Sequence, residues 1–527
     1  MSVFLCVYSK SGGLNQRLTG EALDDFSLGG KRALCKIEVP GFMLSFPERF
    51  AGGFLENSDD VTFVAGYFKN SAAGFRTSIT SPEINSDSFH GAFAAVHYQK
   101  KTHRLTAAND KYGIFPLFVY ENNDLIALCS EYQPLCLLSG KKKPVLNRDA
   151  IAEYYCLGTT LGNKTFFNNI YNLPPAAINL FNGKKSEVRG IHWHSASNSA
   201  TAAGVLDTFT TVNREYLESG LTTQCLLSAG ADSRLILATM PEAERKKTNF
   251  YTSNLSFLDM EEDMDVIGAQ LLAKKFDPSH QVEKISFYEN TFGTNFFDSA
   301  REPRKNQVYG GWHGGELLGG YCLRAAPAGM NLSFEETDKK LKRYFSWSFR
   351  IRLSRHPYQS YVEEKKQAGS AHVFLLRQLT RSFFSSIYGG SRGHWLQPFQ
   401  LTHHGLSPFW DSRFLDAFTK IPLEALKDYA FYNEVMALCD KAFTGIPSNS
   451  PLTNRHDSVI PKLNLGTEPK HHLPNVHREA LEMLLGNESP NGRGMYASKQ
   501  LQMIRAQEET NFRQQWIDFE IWKKRYG

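Results

Sequence analysis

The feature that most constrains this chain is a run of small and polar residues, Ser228-Ala-Gly-Ala-Asp-Ser-Arg, between an apolar strand and a helix. The preceding Thr223-Gln-Cys-Leu-Leu is typical of a buried strand, and Leu235-Ile-Leu-Ala-Thr-Met is typical of a helix. A strand, a small-residue loop and a helix begin a βαβ unit, which belongs to a parallel sheet. Phe250-Tyr-Thr-Ser is predicted as the next strand, and residues 263–275 are predicted as the next helix.

This loop also predicts a chemistry. Small residues let backbone N–H groups approach an anion, and the N-terminus of the helix adds a favourable field. Ser228 and Ser233 add hydroxyl donors, whereas the Asp232 carboxylate repels phosphate unless a divalent cation lies between them. The loop therefore predicts a pyrophosphate held with Mg²⁺. It lacks the Gly-Lys-Ser/Thr of a Walker loop and the spaced glycines of a dinucleotide fingerprint. The alternative is an ordinary turn with Ser and Asp caps.

The first half of the chain has a different pattern, in which short apolar strands alternate with turns. Four such segments are Val61-Thr-Phe-Val-Ala-Gly-Tyr-Phe, Ala92-Phe-Ala-Ala-Val-His-Tyr, Pro116-Leu-Phe-Val-Tyr and Leu125-Ile-Ala-Leu-Cys. They predict sandwiched antiparallel sheets. Asn147 is a plausible N-cap for a helix over 147–158, and the Ser, Asn, Ala and Thr of 195–203 predict a linker. From Ser333, which has capping-box spacing, the pattern is mostly helical.

Length and composition exclude several classes of protein. A chain of 527 residues predicts two domains, and 42% hydrophobic with 21% charged residues is globular composition. A net charge of +5 over this length does not indicate nucleic-acid binding. Apolar runs stay well below the roughly 20 residues of a spanning helix. The eight cysteines are scattered without paired spacing, which favours free thiols in a reducing cytosol.

Further segments share their order with one family. They are His90-Gly-Ala-Phe-Ala, Arg104-Leu-Thr-Ala-Ala-Asn-Asp-Lys-Tyr-Gly-Ile-Phe-Pro-Leu, Ala127-Leu-Cys-Ser-Glu, Thr165-Phe-Phe-Asn-Asn-Ile-Tyr-Asn-Leu-Pro-Pro, Gly311-Trp-His-Gly-Gly-Glu-Leu-Leu-Gly-Gly-Tyr and Pro408-Phe-Trp-Asp. Together with the Ser-x-Gly-x-Asp-Ser loop of N-type ATP pyrophosphatases, they resemble the asparagine synthetase family (class B, glutamine-amidotransferase type). Asn109 takes the place of an arginine in that family's Arg-Asp turn.

The resemblance implies an α/β + β fold with two domains. Residues 1–195 would form an Ntn-type αββα sandwich, and residues 204–527 an adenine-nucleotide α-hydrolase (PP-loop) synthetase domain with a helical C-terminal part. It also implies a reaction that uses ATP and Mg²⁺. A substrate carboxylate is activated as an acyl-adenylate, pyrophosphate leaves, and an amine attacks to form an amide.

The resemblance also implies site residues. Those expected around the nucleotide are Leu226, Leu227, Ser228, Gly230, Asp232, Ser233, Gly314 and Gly315, with Leu226 and Leu227 offering backbone contacts to adenine. The usual Gly-Gly-Asp-Glu of the second loop becomes His313-Gly-Gly-Glu, so Gly315 stands where the aspartate is expected. Asp232 and Glu316 are therefore the predicted Mg²⁺ ligands.

Two positions near the expected reaction centre leave alternatives open. His313 replaces a glycine, and it is either a general base or a ring packed beside Trp312. The family's late lysine is missing from its obvious place in 445–455, which leaves Arg455 and Lys462 as candidates for its catalytic role.

The N-terminus departs from the glutamine-hydrolysing members, which need a cysteine directly after the initiator Met. Here Met1 is followed by Ser2, and Cys6 lies inside a predicted strand without an α-amine. We therefore expect a retained scaffold without glutaminase activity, as in the family members β-lactam synthetase, carbapenam synthetase and lasso-peptide cyclase.

The expected substrate is a small molecule or peptide with a carboxylate and an amine. Neither nucleic acid nor a membrane is expected as a partner, the expected location is cytoplasmic, and a homodimer is compatible with the sequence. Three other functions stay open: asparagine-synthetase-like use of free ammonia, a catalytically silent nucleotide-binding homologue, and an N-terminal hydrolase that uses Ser2. The basic and aromatic run 339–352 is typical of a patch that binds nucleic acid or an anionic peptide, or of a helix with one charged face.

Overall fold

The computed structural model describes most of the chain up to residue 464. The description covers residues 4–464 except 28–29, 31, 49, 51, 81–88, 116, 141–144, 184, 191–199, 221–223, 256–263, 276–279, 286–307, 312, 321–331, 381–404 and 449, and it adds Met495, Trp516 and Phe519. No helix in this part of the chain is both long and apolar enough to cross a bilayer.

Twelve strands form two antiparallel sheets in the first half of the chain. They are β1 Leu5–Ser9, β2 Leu34–Val39, β3 Phe42–Pro47, β4 Gly52–Glu56, β5 Asp60–Phe68, β6 Gly91–Gln99, β7 Arg104–Asn109, β8 Phe118–Glu121, β9 Leu125–Cys129, β10 Ile170–Asn172, β11 Ala177–Asn182 and β12 Lys185–Gly190. The strand orders are β10-β8-β9-β1-β3-β2 and β12-β11-β7-β6-β5-β4. The four strands predicted from alternating apolar residues correspond to β5, β6, β8 and β9.

Helices cover the outer face of each sheet. Helix α1 (Gln16–Phe26), helix α3 (Tyr132–Leu138) and helix α4 (Arg148–Leu157) share a buried cluster with the first sheet, and helix α2 (Ser71–Thr80) packs on the second. Asn147 caps α4 by accepting a hydrogen bond from the N–H of Ala150. The predicted αββα layers and the predicted N-cap are therefore confirmed.

The second half contains a parallel sheet. Its strands are β13 Gln224–Leu226, β14 Asn249–Leu255, β15 Gln281–Ile285, β16 Val308–Tyr309 and β17 Gly405–Leu406, in the order β15-β14-β13-β16-β17. Its helices are α5 Ala202–Glu218, α6 Ala231–Thr239, α7 Glu242–Arg245, α8 Met264–Ala273 and α9 Gly314–Leu318. The predicted βαβ unit is confirmed as β13, α6 and β14. After β13 the chain adds β14 and β15 on one side of it, whereas β16 and β17 lie on its other side. The strand order therefore reverses between β13 and β16. Ligands bind at such points in open parallel sheets.

Later helices complete both halves. They are α10 Phe334–Tyr344, α11 Trp347–Arg350, α12 Pro357–Ala368, α13 Ala371–Thr380, α14 Ser412–Phe418, α15 Ala430–Ala437 and α16 Lys441–Thr444, with 3₁₀ turns at Pro408–Trp410, Lys427–Tyr429 and Pro451–Asn454. The predicted capping box at Ser333 is confirmed. Helices α10 and α12 pack against α4, and the buried Trp516 and Phe519 join the same cluster. Part of the second half thus covers the first.

A polar contact ties α14 to the N-terminal sandwich. Lys111 Nζ and Tyr112 Oη each lie 2.5 Å from Asp416 Oδ1. One buried apolar cluster also runs from the space between the two antiparallel sheets into the parallel sheet. The two halves are therefore joined by a shared core, and the division at 195–204 stays a prediction.

Candidate active site

The loop after β13 is held by its own hydroxyl groups. Ser228 Oγ and Ser233 Oγ lie 3.0 Å apart, and the N–H groups of Ser228 and Gly230 donate to Ser233 Oγ and Ser228 Oγ at 3.2 Å each. Gly230 is the N-cap of α6. The predicted loop residues Ser228, Gly230, Asp232 and Ser233 therefore share one tight bend, and the first turn of a nine-residue helix opens from it.

Asp232 lies in that first turn, and its carboxylate accepts hydrogen bonds from residues that are distant in the chain. Tyr432 Oη donates to its Oδ1 at 2.6 Å, and the N–H of Gly315 donates to its Oδ2 at 3.1 Å. Burial nevertheless raises the pKa of Asp232 to about 6, since these two bonds only partly replace water. Tyr432 carries no sequence signal and was missed, because it lies 200 residues away.

The loop after β16 packs directly on Asp232. A Cβ added at Gly311 would lie 2.6 Å from Asp232 Cβ, and one at Gly314 would lie 2.5 Å from Asp232 Oδ1. Only glycine fits at this distance. The two loops therefore meet where the strand order reverses. The spacing of the motifs along the sequence does not reveal this contact.

Glu316, in the first turn of α9, is the second carboxylate of the site. Burial, followed by the negative charge of Asp232, raises the pKa of Glu316 to about 7. Two neighbouring carboxylates with raised pKa values are stabilised as anions by a cation. In the described part of the chain no three His, Cys, Asp or Glu side chains cluster as metal ligands. Carboxylate oxygens such as those of Asp232 and Glu316 are ligands that Mg²⁺ accepts beside phosphate and water, and the Mg²⁺ site stays a prediction.

His313 has a left-handed backbone, with φ +72°, and a buried ring. Trp410 donates its indole N–H to His313 Nδ1 at 2.7 Å. Protonation of Nδ1 would break this bond, so the geometry favours packing over the role of general base. The ring packs beside Trp410, whereas Trp312, the neighbour named from the sequence, lies outside the described residues. The base role stays a prediction.

Arg234, the last residue of the loop motif, is fully buried and anchors the loop from below. Its guanidinium donates to the backbone carbonyls of Ala229, Phe443, Ile446 and Pro447. Burial lowers its pKa to about 10. The Ser448 hydroxyl donates to the Ala229 carbonyl as well. The segment 443–448 is thereby fixed against the loop after β13, a role of Arg234 that sequence reasoning missed although the motif includes this arginine.

The two candidates for the late lysine differ in their surroundings. Arg455 donates to both carboxylate oxygens of Asp457 at 2.9 Å and to the Asp428 carbonyl at 2.8 Å. Lys462 is exposed, and its Nζ lies 3.3 Å from Asn454 Oδ1. Its backbone forms a parallel bridge with Ser448, which donates a hydrogen bond to Ala229 in the loop after β13. Lys462 is therefore the candidate connected to the loop.

The strand residues predicted to contact adenine are partly committed to the sheet. The N–H of Leu227 donates to the Tyr251 carbonyl at 2.8 Å, and its carbonyl accepts from Thr252 Oγ1 at 2.7 Å. Leu226 is half-buried. Backbone recognition of adenine by Leu227 would have to compete with these bonds.

The thiol nearest to the N-terminus, that of Cys6, lies in a strand of the core. Cys6 is fully buried in β1, opposite Leu44 and Leu128. Burial raises the pKa of its thiol far above the usual range, so it is not a thiolate near neutral pH. Asn109 is buried, and its amide donates to the Leu173 carbonyl at 3.2 Å. Ser2 lies outside the described residues.

Comparison with known proteins identifies part of the N-terminal half. Residues 83–193 match the glutamine amidotransferase domain family. No curated protein sequence matches the chain significantly. The solved structures that resemble it include the allosteric regulatory enzyme of purine biosynthesis and the glutamine phosphoribosylpyrophosphate amidotransferase from B. subtilis complexed with ADP and GMP. Both are 10% identical with a TM-score of 0.25 and cover 65% of this chain, and 92% and 93% of theirs respectively. A similarity of this extent does not establish a shared fold.

Proposed function

We propose that this chain is an ATP-dependent carbon–nitrogen ligase that activates a substrate carboxylate as acyl-AMP with release of pyrophosphate, and forms an amide when an amine displaces AMP. The observation that carries the proposal is the meeting of two loops at the reversal of the parallel sheet. Asp232 from one loop accepts the Gly315 N–H of the other, and its charge acts on the Glu316 carboxylate beside the N-terminus of α6. The combination suits a polyphosphate chain with a divalent cation.

Each part of the site has a role in this reaction. The hydroxyl groups of Ser228 and Ser233 and the first N–H groups of α6 would hold the leaving pyrophosphate. Asp232 and Glu316 would hold Mg²⁺, which when bound neutralises phosphate charge. Catalysis depends on donors and charges fixed before the reaction. The buried Arg234 supplies such rigidity, because it holds the loop to segment 443–448.

We assign the role of the late lysine to Lys462. The Arg455 side chain is already bonded to Asp457 and Asp428, whereas the Lys462 ammonium is exposed on a segment paired with Ser448. A flexible exposed ammonium can approach the α-phosphate of bound ATP without breaking an ion pair.

The nitrogen donor is proposed to be an amine of the substrate or of a second substrate. The glutamine amidotransferase match supports amide nitrogen chemistry. Glutamine hydrolysis needs a reactive thiol, and Cys6 is buried within β1. Asn109, which is uncharged, replaces the arginine of the resembling family. Free ammonia remains an alternative donor.

One observation favours a second candidate, a nucleotide-binding homologue without catalysis. The Ser228 and Ser233 hydroxyls are bonded to one another across the loop. Such self-bonding has to open before both hydroxyls can hold pyrophosphate. The two candidates differ in turnover and agree in nucleotide binding.

The first experiment is calorimetric titration with Mg²⁺ and a nucleotide whose α,β-phosphate bridge cannot be cleaved. We expect binding by the wild-type chain, retention in Asp207→Asn, and loss in Asp232→Asn. Asp207 is the control because it is exposed on α5. Absence of wild-type binding would refute both candidates.

The second experiment is substrate-dependent exchange of labelled pyrophosphate into ATP, with a panel of amino acids, β-amino acids and short peptides. Exchange supports the ligase. Nucleotide binding without exchange for any member of the panel would favour the silent homologue.

A further inference from the structure

The segment 339–355 presents an unusual surface that the proposed reaction does not use. It contains seven Lys and Arg residues and no Asp or Glu. Within it, the side chains of Trp347 and Ile351 are 68% and 57% exposed. Large apolar side chains with this exposure cost solvation free energy and do not help folding.

The two exposed side chains lie on one rigid turn. Ile351 N donates to the Trp347 carbonyl at 3.1 Å, so they are one helical turn apart on the same face of α11. The buried rings of Phe345 and Phe349 stack at 4.4 Å on either side of Trp347 in sequence, which directs Trp347 outward. Ser354 then fastens the chain to Asp149 at the start of α4. The exposure is therefore built into the packing.

Cations flank this apolar pair along the chain. Lys342 pairs with Asp338, and Arg355 pairs with Glu363. Arg343 and Arg352 are exposed, and within the described part of the chain neither has a carboxylate at ion-pair distance. Exposed arginines thus flank the exposed Trp347 and Ile351 along the chain, and no carboxylate among the described residues pairs with them.

We propose that Trp347, Ile351, Arg343 and Arg352 form a docking surface for an acidic polypeptide segment that carries apolar side chains. Trp and Arg are the residues that dominate binding energies at protein interfaces, above all when they are held rigid before binding. The positive charge of the exposed Arg343 and Arg352 favours a partner of negative charge. Ile351 favours a polypeptide over single-stranded nucleic acid, because an aliphatic side chain gives no stacking platform for bases.

The test is fluorescence anisotropy of the full chain with a labelled synthetic peptide composed of Glu, Leu and Phe, beside a peptide in which Lys replaces each Glu. We expect only the acidic peptide to bind, with affinity that falls as salt rises. Trp347→Ala should weaken binding by roughly tenfold or more. Arg343→Glu with Arg352→Glu should abolish it. Leu438→Ser is the matched control, since Leu438 is 54% exposed elsewhere on the protein.

Several results would overturn the proposal. Equal binding of both peptides, wild-type affinity in Trp347→Ala, or tighter binding of a poly-dT oligonucleotide would each do so. A dimer that sediments as a monomer after Trp347→Ala would instead assign the surface to a second copy. Circular dichroism of each variant separates loss of binding from loss of folding. None of these results depends on ATP, so the proposal can fail independently of the ligase function.

Discussion

Asp110 of the N-terminal sandwich and Asp232 of the parallel sheet have the same raised pKa, about 6, in different surroundings. Asp110 accepts N–H bonds from Tyr112, Ile114 and Phe115, all within five residues of it. Asp232 instead accepts hydrogen bonds from Gly315 and Tyr432, which are 83 and 200 residues away in the chain. In both cases burial is the main cause of the shift.

The difference teaches that a shifted pKa does not identify a functional site. The carboxylate of Asp110 is enclosed by one turn that uses its acceptor oxygens, and it is 1% exposed. Asp232 is half-buried, and its charge helps to raise the pKa of a second carboxylate, Glu316. A bound cation would therefore stabilise the charged forms of Asp232 and Glu316, whereas no second carboxylate in the described part of the chain raises the pKa of Asp110.

The largest expected effect separates these two aspartates by activity. Asp232→Asn should lower pyrophosphate exchange by roughly 10²–10³-fold, because a fixed charge at the reaction centre is lost. Asp110→Asn should change the activity of the folded fraction less than threefold, by the same principle, since Asp110 lies away from the centre. The measurement is exchange rate per folded molecule. Equal losses in both variants would remove the distinction.

The next effect concerns the two late cations. Lys462→Met should lower kcat by roughly 10–10²-fold with little change in KM, since a donor that acts in the transition state is removed. Arg455→Met should act mainly through stability, because Arg455 is bonded to Asp457 and Asp428. Steady-state kinetics beside thermal melts test this, and a kcat loss confined to Arg455→Met would reverse our assignment.

The stability of the two aspartate variants should show the opposite order. Asp110→Asn should lower the free energy of unfolding by about 2 kcal/mol, because both carboxylate oxygens accept N–H bonds and the amide NH₂ would leave at least one of these donors without an acceptor. Asp232→Asn should lower it less, since it also removes repulsion with Glu316. Urea unfolding of both variants measures the difference. A larger loss of unfolding free energy for Asp232→Asn would show that its hydrogen bonds from Gly315 and Tyr432 stabilise the fold more than the three local N–H bonds of Asp110.

The smallest expected effect is a pH dependence. Both aspartates have folded pKa values above that of an unfolded chain, so the folded state holds extra protons and its stability falls as pH rises through about 4–6. Mg²⁺ should restore stability only through Asp232 and Glu316, and its affinity should rise between pH 6 and about 7. Melting temperatures with and without Mg²⁺ at pH 5.5 and 8 test this. An equal Mg²⁺ effect at both pH values would argue against carboxylate ligands.

Much of the local structure could be predicted from the sequence. The N-cap at Asn147, the capping box at Ser333 and the strand that ends before Ser228 were all predicted, because capping and apolar periodicity involve neighbouring residues. Trp516 and Phe519, which lie in the part of the chain predicted to be mostly helical, are helical and buried. The four residues predicted for the loop after β13 do share one bend, because their motif is contiguous, and their binding of a nucleotide stays a prediction.

The partners of that loop were less accessible to prediction. Arg234 was visible in the motif, but its four carbonyl acceptors lie mostly in 443–447. Tyr432 has no distinguishing neighbours, and the contact of Trp410 with His313 joins two segments 97 residues apart. Such pairs depend on how helices pack, which no local pattern contains.

By itself the sequence determined that a small-residue bend follows a buried strand and opens a helix, and that sandwiched strands precede it. The tertiary structure decided which second loop meets the bend, that Asp232 and Glu316 become neighbours, and that Trp347 points outward. The physical reason is the distance along the chain over which each interaction acts. Backbone preferences and side-chain periodicity act over a few residues, whereas the strand order β15-β14-β13-β16-β17 is selected by burial of the whole sheet.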